Sequence, residues 1–485
     1  MLPFARLIQI EPENETAIYL QIVGQLIALI EQGQLQAGQR LPGSRKLAET
    51  LKLNRNTIIA AYDELNAQGW LNQKTGSGTY VSDQIPQAEL QALGVRQGLT
   101  IKLPPFNQNL AIPLPQGRPT TPYQLNDGLP DIRLAPLKEL SREYRRVLTQ
   151  SAWHHRLEYG DPQGSGLLRE QLSLYLHSSR GLKLDADSIM ITRGVIMSLF
   201  LLAQTLVEAG DGILVGETSY NTASMSFAKA GAKLYRIPVD KTGIVVEEIE
   251  AICQEHPIKA IYVASHHHHP TTVSLSPARR VQLLDLARRY NFWILEDDYD
   301  FEFHYSRNPI LPIASMGTPE RVIYLGSFSK TLAPALRIGY LVGPPALLEA
   351  LCRLRRIVDR QGDQILEEAV GLMMKEGSIQ RHLRKALNVY RSRRDLFCQL
   401  LKSELGNEIE FQLPEGGLAV WAHFVERKDL QTLVAKAKQK GLHLSPGSYY
   451  DANRRPTNKT RLGFAYHNKP ELEAALGILK ESLDK

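Results

Sequence analysis

Cysteine is scarce in this chain: Cys253, Cys352 and Cys398 are the only three in 485 residues, far apart and in no metal-ligand spacing. That argues against a disulfide framework or a cysteine zinc site and suits a reducing, cytoplasmic setting. Long apolar runs are missing too. The most apolar stretch, "IMSLFLLAQTLV", is about half a membrane span and contains Gln204, so it reads as a buried helix, with no membrane association expected. No basic stretch followed by an apolar run opens the sequence, so a signal peptide is not expected. Nor is one sign of charge in large excess. The net charge of +6 permits an anionic partner without demanding one. What is present is ordinary for a globular protein, 43% apolar and 22% charged, at a length that calls for two or three domains.

The first eighty residues read as a small helical module. "IYLQIVGQLIALIEQG" puts Tyr19, Ile22, Val23, Leu26, Ile27 and Ile30 on one helical face, stopped by Gly33. "LPGSRKLAETLKLNRNTIIAAYDELNAQGW" predicts two short helices and a tight turn, with Ser44 and Asn54 as caps and Ile58, Ala61, Tyr62 and Leu65 as the buried stripe of the second. In "LNQKTGSGTYVS", Gly76 and Gly78 break two β-prone runs, which predicts a hairpin. Three helices and a hairpin make a winged helix-turn-helix layout. Residues 1–83 carry seven bases (Arg6, Arg40, Arg45, Lys46, Lys52, Arg55, Lys74) against eight acids (Glu11, Glu13, Glu15, Glu31, Glu49, Asp63, Glu64, Asp83). The distribution matters more than the sum. Five of those bases fall between Arg40 and Arg55 with only Glu49 among them, on the helix pair expected to face a duplex. A solvated basic face on a protein-binding module is the plain alternative.

A proline-containing stretch over 84–125 ("KLPPF", "AIPLPQGRPTTP") reads as a linker. From 126 to 485 short β-rich runs ("SIMIT", "GILVG", "KLYRIPV", "AIYVAS", "FWILED", "RVIYLGSF", "GYLVG") alternate with helical stretches. That predicts an α/β domain around a largely parallel sheet, with ligands beyond the carboxyl ends of the strands. Four groups of polar residues follow such strands. Gly194 opens a helix whose first amides, at Val195 and Ile196, suit a phosphate. Asp297, Asp298 and Tyr299 follow "FWILE". Ser327, Ser329, Lys330 and Arg337 lie in "SFSKTLAPALRIGY", and Arg461 lies in "TRLGFAYHN" beside a short strand. A helix start, hydroxyls and an arginine suit a phosphate. A lysine amine suits covalent attachment of a carbonyl, a carboxylate suits a protonated pyridine nitrogen, and a phenol can donate to a ring oxygen. Together they describe a site for pyridoxal 5'-phosphate (PLP). Each residue alone would read as an ordinary surface charge or helix cap.

Two resemblances bear on these readings. Tyr19 to Val81 resembles the winged-helix domain of GntR-type bacterial repressors, through "IYLQI", "GQLQAGQRLPGSRKLAE", "NRNTIIAAYDEL" and "GSGTYV". The resemblance implies DNA contacts from Arg45, Arg55, Thr57 and the Gly76–Gly78 wing, although Asn54 and Asn56 flank the arginine where a preceding serine is common. Residues 126–483 resemble the fold-type I aminotransferases, through "YGDPQGSGLLREQLSLYL", "ITRGVIMSLFLLAQTLVEAGD" and the order Asp297, Tyr299, Lys330, Arg337, Arg461. That implies a mainly parallel sheet with helices on both faces and a small C-terminal α+β lobe. The fusion is similar to MocR/GabR-type transcription regulators. By that resemblance Lys330 would carry PLP and Asp297, in preference to Asp298, would pair with its pyridine nitrogen. Tyr299 would hydrogen-bond the ring oxygen, and Ser327, Ser329, Arg337 and the Val195 and Ile196 amides would hold the phosphate. Tyr159 would reach the neighbouring subunit's phosphate, Tyr220 would lie near the ring, and Arg461 would bind an effector carboxylate. The partners implied are operator DNA, a second copy of the chain in a homodimer, and a small amine, amino acid or vitamin B6 vitamer.

The departures are local. Ile196 stands where a glutamine is common, and Pro270-Thr271-Thr272 replaces a "PTG" turn. "SHHHHP" replaces a segment with one histidine and an aromatic. Side chains alternate along an extended segment, so at most two of His266–His269 should face one way. No other ligand cluster joins them, and they read as a pocket lining rather than a metal site. Transaminase turnover is expected to be weak or absent. An active aminotransferase with a vestigial DNA-binding domain, and a DNA-binding protein with a dead enzyme fold, are the competing readings.

Overall fold

Two compact units, 1–110 and 111–485, make up the computed structural model. Described are residues 2–12, 14, 16–74, 77–84, 112, 117, 119–150, 157–306, 310–316, 319–425, 430–451 and 454–483. Gly76 and most of the expected linker lie outside them.

In the first unit a single turn, α1 (Phe4–Leu7), precedes α2 (Ile18–Glu31), α3 (Ser44–Leu51) and α4 (Arg55–Ala67). A hairpin of β1 (Leu71–Lys74) and β2 (Gly78–Val81) follows, paired antiparallel with Leu71 opposite Val81. The inward face of α2 is Ile22, Val23, Leu26, Leu29 and Ile30; Leu29 takes the buried place expected of Ile27. Gly33, at φ +71°, turns the chain out of α2. Asn54 caps α4, its side chain accepting from the Asn56 amide at 2.8 Å. Ser44 does not cap α3. Gly43 holds the cap position and Ser44 is the first helical residue, its hydroxyl accepting from Arg55 Nε at 3.4 Å. Ile58, Ala61, Tyr62 and Leu65 are buried as the helical period predicts, and the Tyr62 hydroxyl donates to the Pro42 carbonyl at 2.8 Å, fixing α4 against the lead-in to α3.

The second unit starts its regular structure at β3 (Tyr123–Leu125), which lies at the end of the expected linker and pairs parallel with β15 (Leu442–Leu444). Next come α5 (Leu137–Thr149), α6 (Gly166–Arg180), β4 (Ile189–Thr192), α7 (Val195–Leu206), β5 (Gly212–Gly216), α8 (Asn221–Lys229) and β6 (Lys233–Ile237). Pro238, which has no amide to donate, separates β6 from a small hairpin, β7 (Val239–Asp240) and β8 (Gly243–Ile244), so the run "KLYRIPV" is two strands rather than one. There follow α9 (Ile249–Glu255), β9 (Ile258–Val263), α10 (Pro277–Arg289), β10 (Trp293–Asp298), β11 (Val322–Ser327), β12 (Gly339–Val342) and α11 (Pro345–Val358). The central sheet runs β4-β12-β11-β10-β9-β5-β6, parallel except for β12, which opposes both its neighbours. Helices cover both faces. Ile213, Val215, Tyr262 and Leu295 pack into the core that contains α7, while Leu214, Ile261, Val263 and Ile294 pack into the one that contains α10. Both sides being buried, the strands read as apolar runs without alternation. Helix α7 is buried on one face only, with Ile196 and Phe200 exposed.

The C-terminal lobe comprises α12 (Gln364–Lys375), the long α13 (Ser378–Leu405), β13 (Ile409–Phe411), β14 (Ala419–Phe424), α14 (Gln431–Gln439), β16 (Lys459–Gly463) and α15 (Lys469–Leu483), with a sheet ordered β13-β14-β16. No described helix is long and apolar enough to cross a membrane. Removing the α4 cap with Asn54→Ala should cost about 1 kcal/mol, whereas Ile58→Ala, at a fully buried site, should cost about 2–5 kcal/mol. Urea denaturation of the full chain compares the two.

Candidate functional site

The carboxyl ends of β4, β10 and β11 open on one side of the sheet, and the residues just beyond them line a cavity of about 320 Å³ with Asp127, Leu129, Tyr220 and His269. Val195, Ile196, Asp297, Tyr299, Ser327, Ser329, Lys330 and Arg337 all line it. Gly194 sits at φ +78°, and a Cβ there would lie 2.8 Å from an Arg337 terminal nitrogen, so a larger residue would both strain the backbone and push the guanidinium out. The Gly194 carbonyl takes the Met197 and Ser198 amides, which leaves the Val195 and Ile196 amides at the bare, positive start of α7. Arg337 donates to the Arg193 carbonyl at 2.9 Å, and the Ser327 hydroxyl accepts from the Ser329 amide at 3.1 Å.

The two carboxylates that end β10 have opposite surroundings. Asp298 takes the Tyr324 hydroxyl at 2.7 Å and lies 3.3 Å from His266 Nδ1 and 4.0 Å from Arg180. Burial would raise it, but His266, Arg180 and Tyr324 outweigh burial and hold it down at about 2. Asp297, one residue earlier, points the other way. One of its oxygens accepts from the Tyr262 hydroxyl at 2.6 Å; the other is buried with no partner among the described residues. Burial, reinforced by Asp298 and Asp300 and only partly offset by Tyr262, pushes Asp297 up to about 7. An orphaned acceptor of this kind on a cavity wall fits a protonated pyridine nitrogen.

Lys330 follows β11 and donates from Nζ to the Gly128 carbonyl at 2.7 Å; burial lowers its pKa. Tyr220 lies edge-on to the His269 ring at 5.6 Å. Tyr299 lines the cavity, and its hydroxyl donates to the His267 carbonyl at 2.6 Å. Tyr159 is not on the wall of this cavity; it is 77% exposed, with the Arg360 guanidinium 3.8 Å above its ring. Arg461 lies within β16 rather than beside it, buried, with Asp127 at 3.1 Å. All four histidines are buried, each with its own partner: His266 with Asp298, His267 with Asp300 at 2.8 Å, His268 with Thr271 at 2.9 Å, and His269 with Asp127 at 2.9 Å. His269 alone of the four lines the cavity.

Sequence reasoning missed Asp127 and Tyr262, which line the cavity. Asp127 follows β3, far in sequence from the others, and no spacing links it to Lys330. Tyr262 was visible as a polar-tipped residue in the apolar run Ala260–Val263 of β9, which is a usable signal. In the first unit Arg45 and Arg55 are exposed near the starts of α3 and α4, Thr57 is half-buried in α4, and Gly78, at φ +123°, opens β2 beside the Arg40 side chain.

Comparison with known proteins agrees with this geometry. Residues 125–479 match the family described as aminotransferase class I and II, and residues 18–81 match bacterial regulatory proteins of the gntR family. The chain is 29% identical over 478 residues to the probable rhizopine catabolism regulatory protein MocR of Rhizobium meliloti, covering 98% of this chain and 95% of that one. It is 25% identical over 476 residues to the HTH-type pyridoxine biosynthesis transcriptional regulator PdxR of Corynebacterium glutamicum, covering 98% of each. A kynurenine aminotransferase of Pyrococcus horikoshii, solved in complex with PMP, superposes with a TM-score of 0.68 at 28% identity, over 75% of this chain and 91% of that one.

Asp297 generates a stability prediction for the cofactor-free chain. Its folded pKa of about 7 lies above the ordinary carboxyl value of 3.8, so its contribution is fully present below pH ~4 and lost as pH rises through ~7. Asp297→Asn, which still accepts from Tyr262, should therefore be more stable than the parent at pH ~8, by up to a few kcal/mol at ~1.4 kcal/mol per pKa unit, and the gap should close towards pH ~4. Added PLP should reverse the order. Denaturation midpoints with and without PLP check both halves.

Proposed function

The chain belongs to the aminotransferase class I and II family and carries a gntR-family domain at its other end, and from that premise we propose that it is a PLP-dependent transcription regulator whose aminotransferase-like domain senses a small amine, amino acid or vitamin B6 vitamer. The observation that carries the reading is the union, in one chain, of a winged helix with exposed Arg45 and Arg55 and a cavity that collects Lys330, Asp297, Arg337 and the start of α7. Relatives named as transcription regulators match along nearly the whole length.

When bound, PLP supplies an electrophilic carbonyl and an electron-withdrawing pyridine ring. The chain's own residues do the rest. Asp297 would hold the proton on the pyridine nitrogen and relieve its own unpaired burial. Arg337, Ser327, Ser329 and the Val195 and Ile196 amides would anchor the phosphate, where the helix start favours an anion. Lys330, its basicity lowered by burial, would present a neutral amine to the carbonyl more readily than an exposed lysine. Tyr220 and His269 would flank the ring. In the first unit, Arg45, Arg55, Thr57 and the wing that includes Gly76 and Gly78 would contact operator DNA in the cytoplasm. The protein would act as a homodimer, with Tyr159 meeting the partner's cofactor phosphate. Ile357, 83% exposed at the end of α11 and three residues before the Arg360 that stacks on Tyr159, supports a second copy on that side.

The central test is coupling. Borohydride should fix PLP on Lys330, and Lys330→Ala should abolish that adduct by mass spectrometry. The amine identified by spectral titration should then change operator affinity about tenfold at fixed salt, which requires only ~1.4 kcal/mol of differential affinity. Arg55→Ala should weaken binding to all sequences and lower the salt slope by about one. Operator affinity and footprints that are identical with and without the amine would leave the sensing reading without support. Steady transamination at about 10 per second would favour an enzyme instead. Light scattering of the PLP-loaded chain should give a dimer mass; a stable monomer would contradict the homodimer.

A further inference from the structure

Tyr262 carries a hydroxyl that its place in the core does not require. It lies on β9, the parallel neighbour of β10, with its Cα opposite Leu295. Opposed residues share a face of the sheet, and so do side chains two apart along one strand. Tyr262 and Asp297 therefore project to the same side, where Tyr262 and Leu295 are buried in the core that contains Leu199 and Leu202 of α7. A phenylalanine would fill that space as well. What the hydroxyl adds is a hydrogen bond to Asp297 Oδ2 at 2.6 Å.

The direction of this bond is fixed. Burial, with the charge of Asp297 beside it, pushes the Tyr262 phenol well above its ordinary value, so the phenol keeps its proton and donates it. The other carboxylate oxygen, Oδ1, is buried with no partner among the described residues, on a residue that lines the cavity. No other charged or titratable neighbour stands in for Tyr262. Asp298 and Asp300 push Asp297 up rather than down. Burial raises the phenols of Tyr220 and Tyr299 as well. Of the cationic and titratable groups on the same side, Lys330 donates to the Gly128 carbonyl, Arg337 to the Arg193 carbonyl, and His269 and Arg461 meet Asp127.

A ring nitrogen facing Oδ1 would share one proton with it, and the stronger base of the two keeps that proton. Burial without a cation makes Asp297 a strong base, because it disfavours the charged carboxylate. A hydrogen bond donated to the carboxylate works in the opposite sense and favours its ionised form. Resting on the reading that the cavity holds PLP, we propose that Tyr262 is a positioning residue that keeps the shared proton on the cofactor's ring nitrogen and Asp297 in its carboxylate form. The O–H bond of protonated Asp297 is exchanged for an N–H bond at the ring, with no further reactant. The electron-withdrawing character of the ring then depends on a hydroxyl from β9 and not on the aspartate alone.

The test loads the full-length chain with PLP isotopically labelled at the ring nitrogen and reads the nitrogen NMR signal against protonated and neutral pyridine standards. The unaltered protein should give a signal at the protonated end. In Tyr262→Phe the signal should move towards the neutral end, which a loss of packing alone would not cause. Replacing Tyr262 by a ring-fluorinated tyrosine, a stronger donor of similar size, should move it the other way. Should Tyr262→Phe fail to fold, that replacement decides, and no movement in it overturns the proposal. A second readout needs no cofactor. Asp297 is protonated at pH ~5 and ionised at pH ~8, and the hydroxyl matters more to the ionised form, so Tyr262→Phe should lose about tenfold more in its folding constant at pH ~8 than at pH ~5. A nitrogen signal unmoved in Tyr262→Phe, or an equal loss of stability at both pH values, overturns the proposal and leaves the cofactor reading in place. Absence of both a bound signal and a borohydride adduct on Lys330 overturns the cofactor reading, and the inference falls with it.

Discussion

Asp297 is a carboxylate buried at the end of β10 without a cation, and the cavity is organised around that deficiency. Tyr262 satisfies one oxygen and nothing described satisfies the other. An isolated buried carboxylate does not stay charged; it takes up a proton, which is why its pKa rises so far above an ordinary aspartate. Asp298 shows the contrast within one strand. Alternation sends it to the other side, where His266, Arg180 and Tyr324 are in place to keep it ionised. These two aspartates, adjacent in sequence, thus differ in the charges beside them: Asp298 has His266 and Arg180, whereas Asp297 has no such cation among the described residues. A protonated ring nitrogen is the chemical complement of the second.

Around that acceptor the sheet supplies the remaining parts by topology alone. Strands β4, β10 and β11 are parallel neighbours or near neighbours, so their carboxyl ends open to one side. The start of α7 then faces the loop after β11, and Arg337 reaches across to the Arg193 carbonyl. The Asp127–Arg461 pair is built differently. Arg461 comes from β16 in the C-terminal lobe, and Asp127 from the segment after β3, which the lobe captures by pairing β3 with β15. Arg461 and Asp127 are therefore brought together by the lobe, whereas Asp297, Lys330 and Arg337 are brought together by the central sheet.

The first unit carries its own core, from Ile22 and Leu26 of α2 to Ile58 and Leu65 of α4. A ligand in the second unit can influence DNA binding only through a difference in its affinity for two states of the whole chain.

Local sequence was enough for the elements with strong local signals. The α4 stripe, the Asn54 cap, the hairpin around Gly78 and the apolar strands of the parallel sheet all follow from periodicity and turn chemistry among near neighbours. The order of Asp297, Lys330 and Arg337 was legible for the same reason, because Asp297 lies at the end of one recognisable strand and Lys330 and Arg337 follow the next. Ser44 was misplaced by one position, since a cap depends on where the first turn closes and not on residue type alone. Leu29 displaced Ile27 because packing against α4 sets the rotation of α2. What only tertiary structure decided were the pairings across long sequence separation: Asp127 with Arg461, Gly128 with Lys330, His269 turned into the cavity while His266–His268 turn away, and the Tyr299 proton spent on a backbone carbonyl. None of these has a local signature, because a side chain's partners at such distances are fixed by how whole elements dock, and docking is the work of many buried contacts rather than of the residues that end up touching.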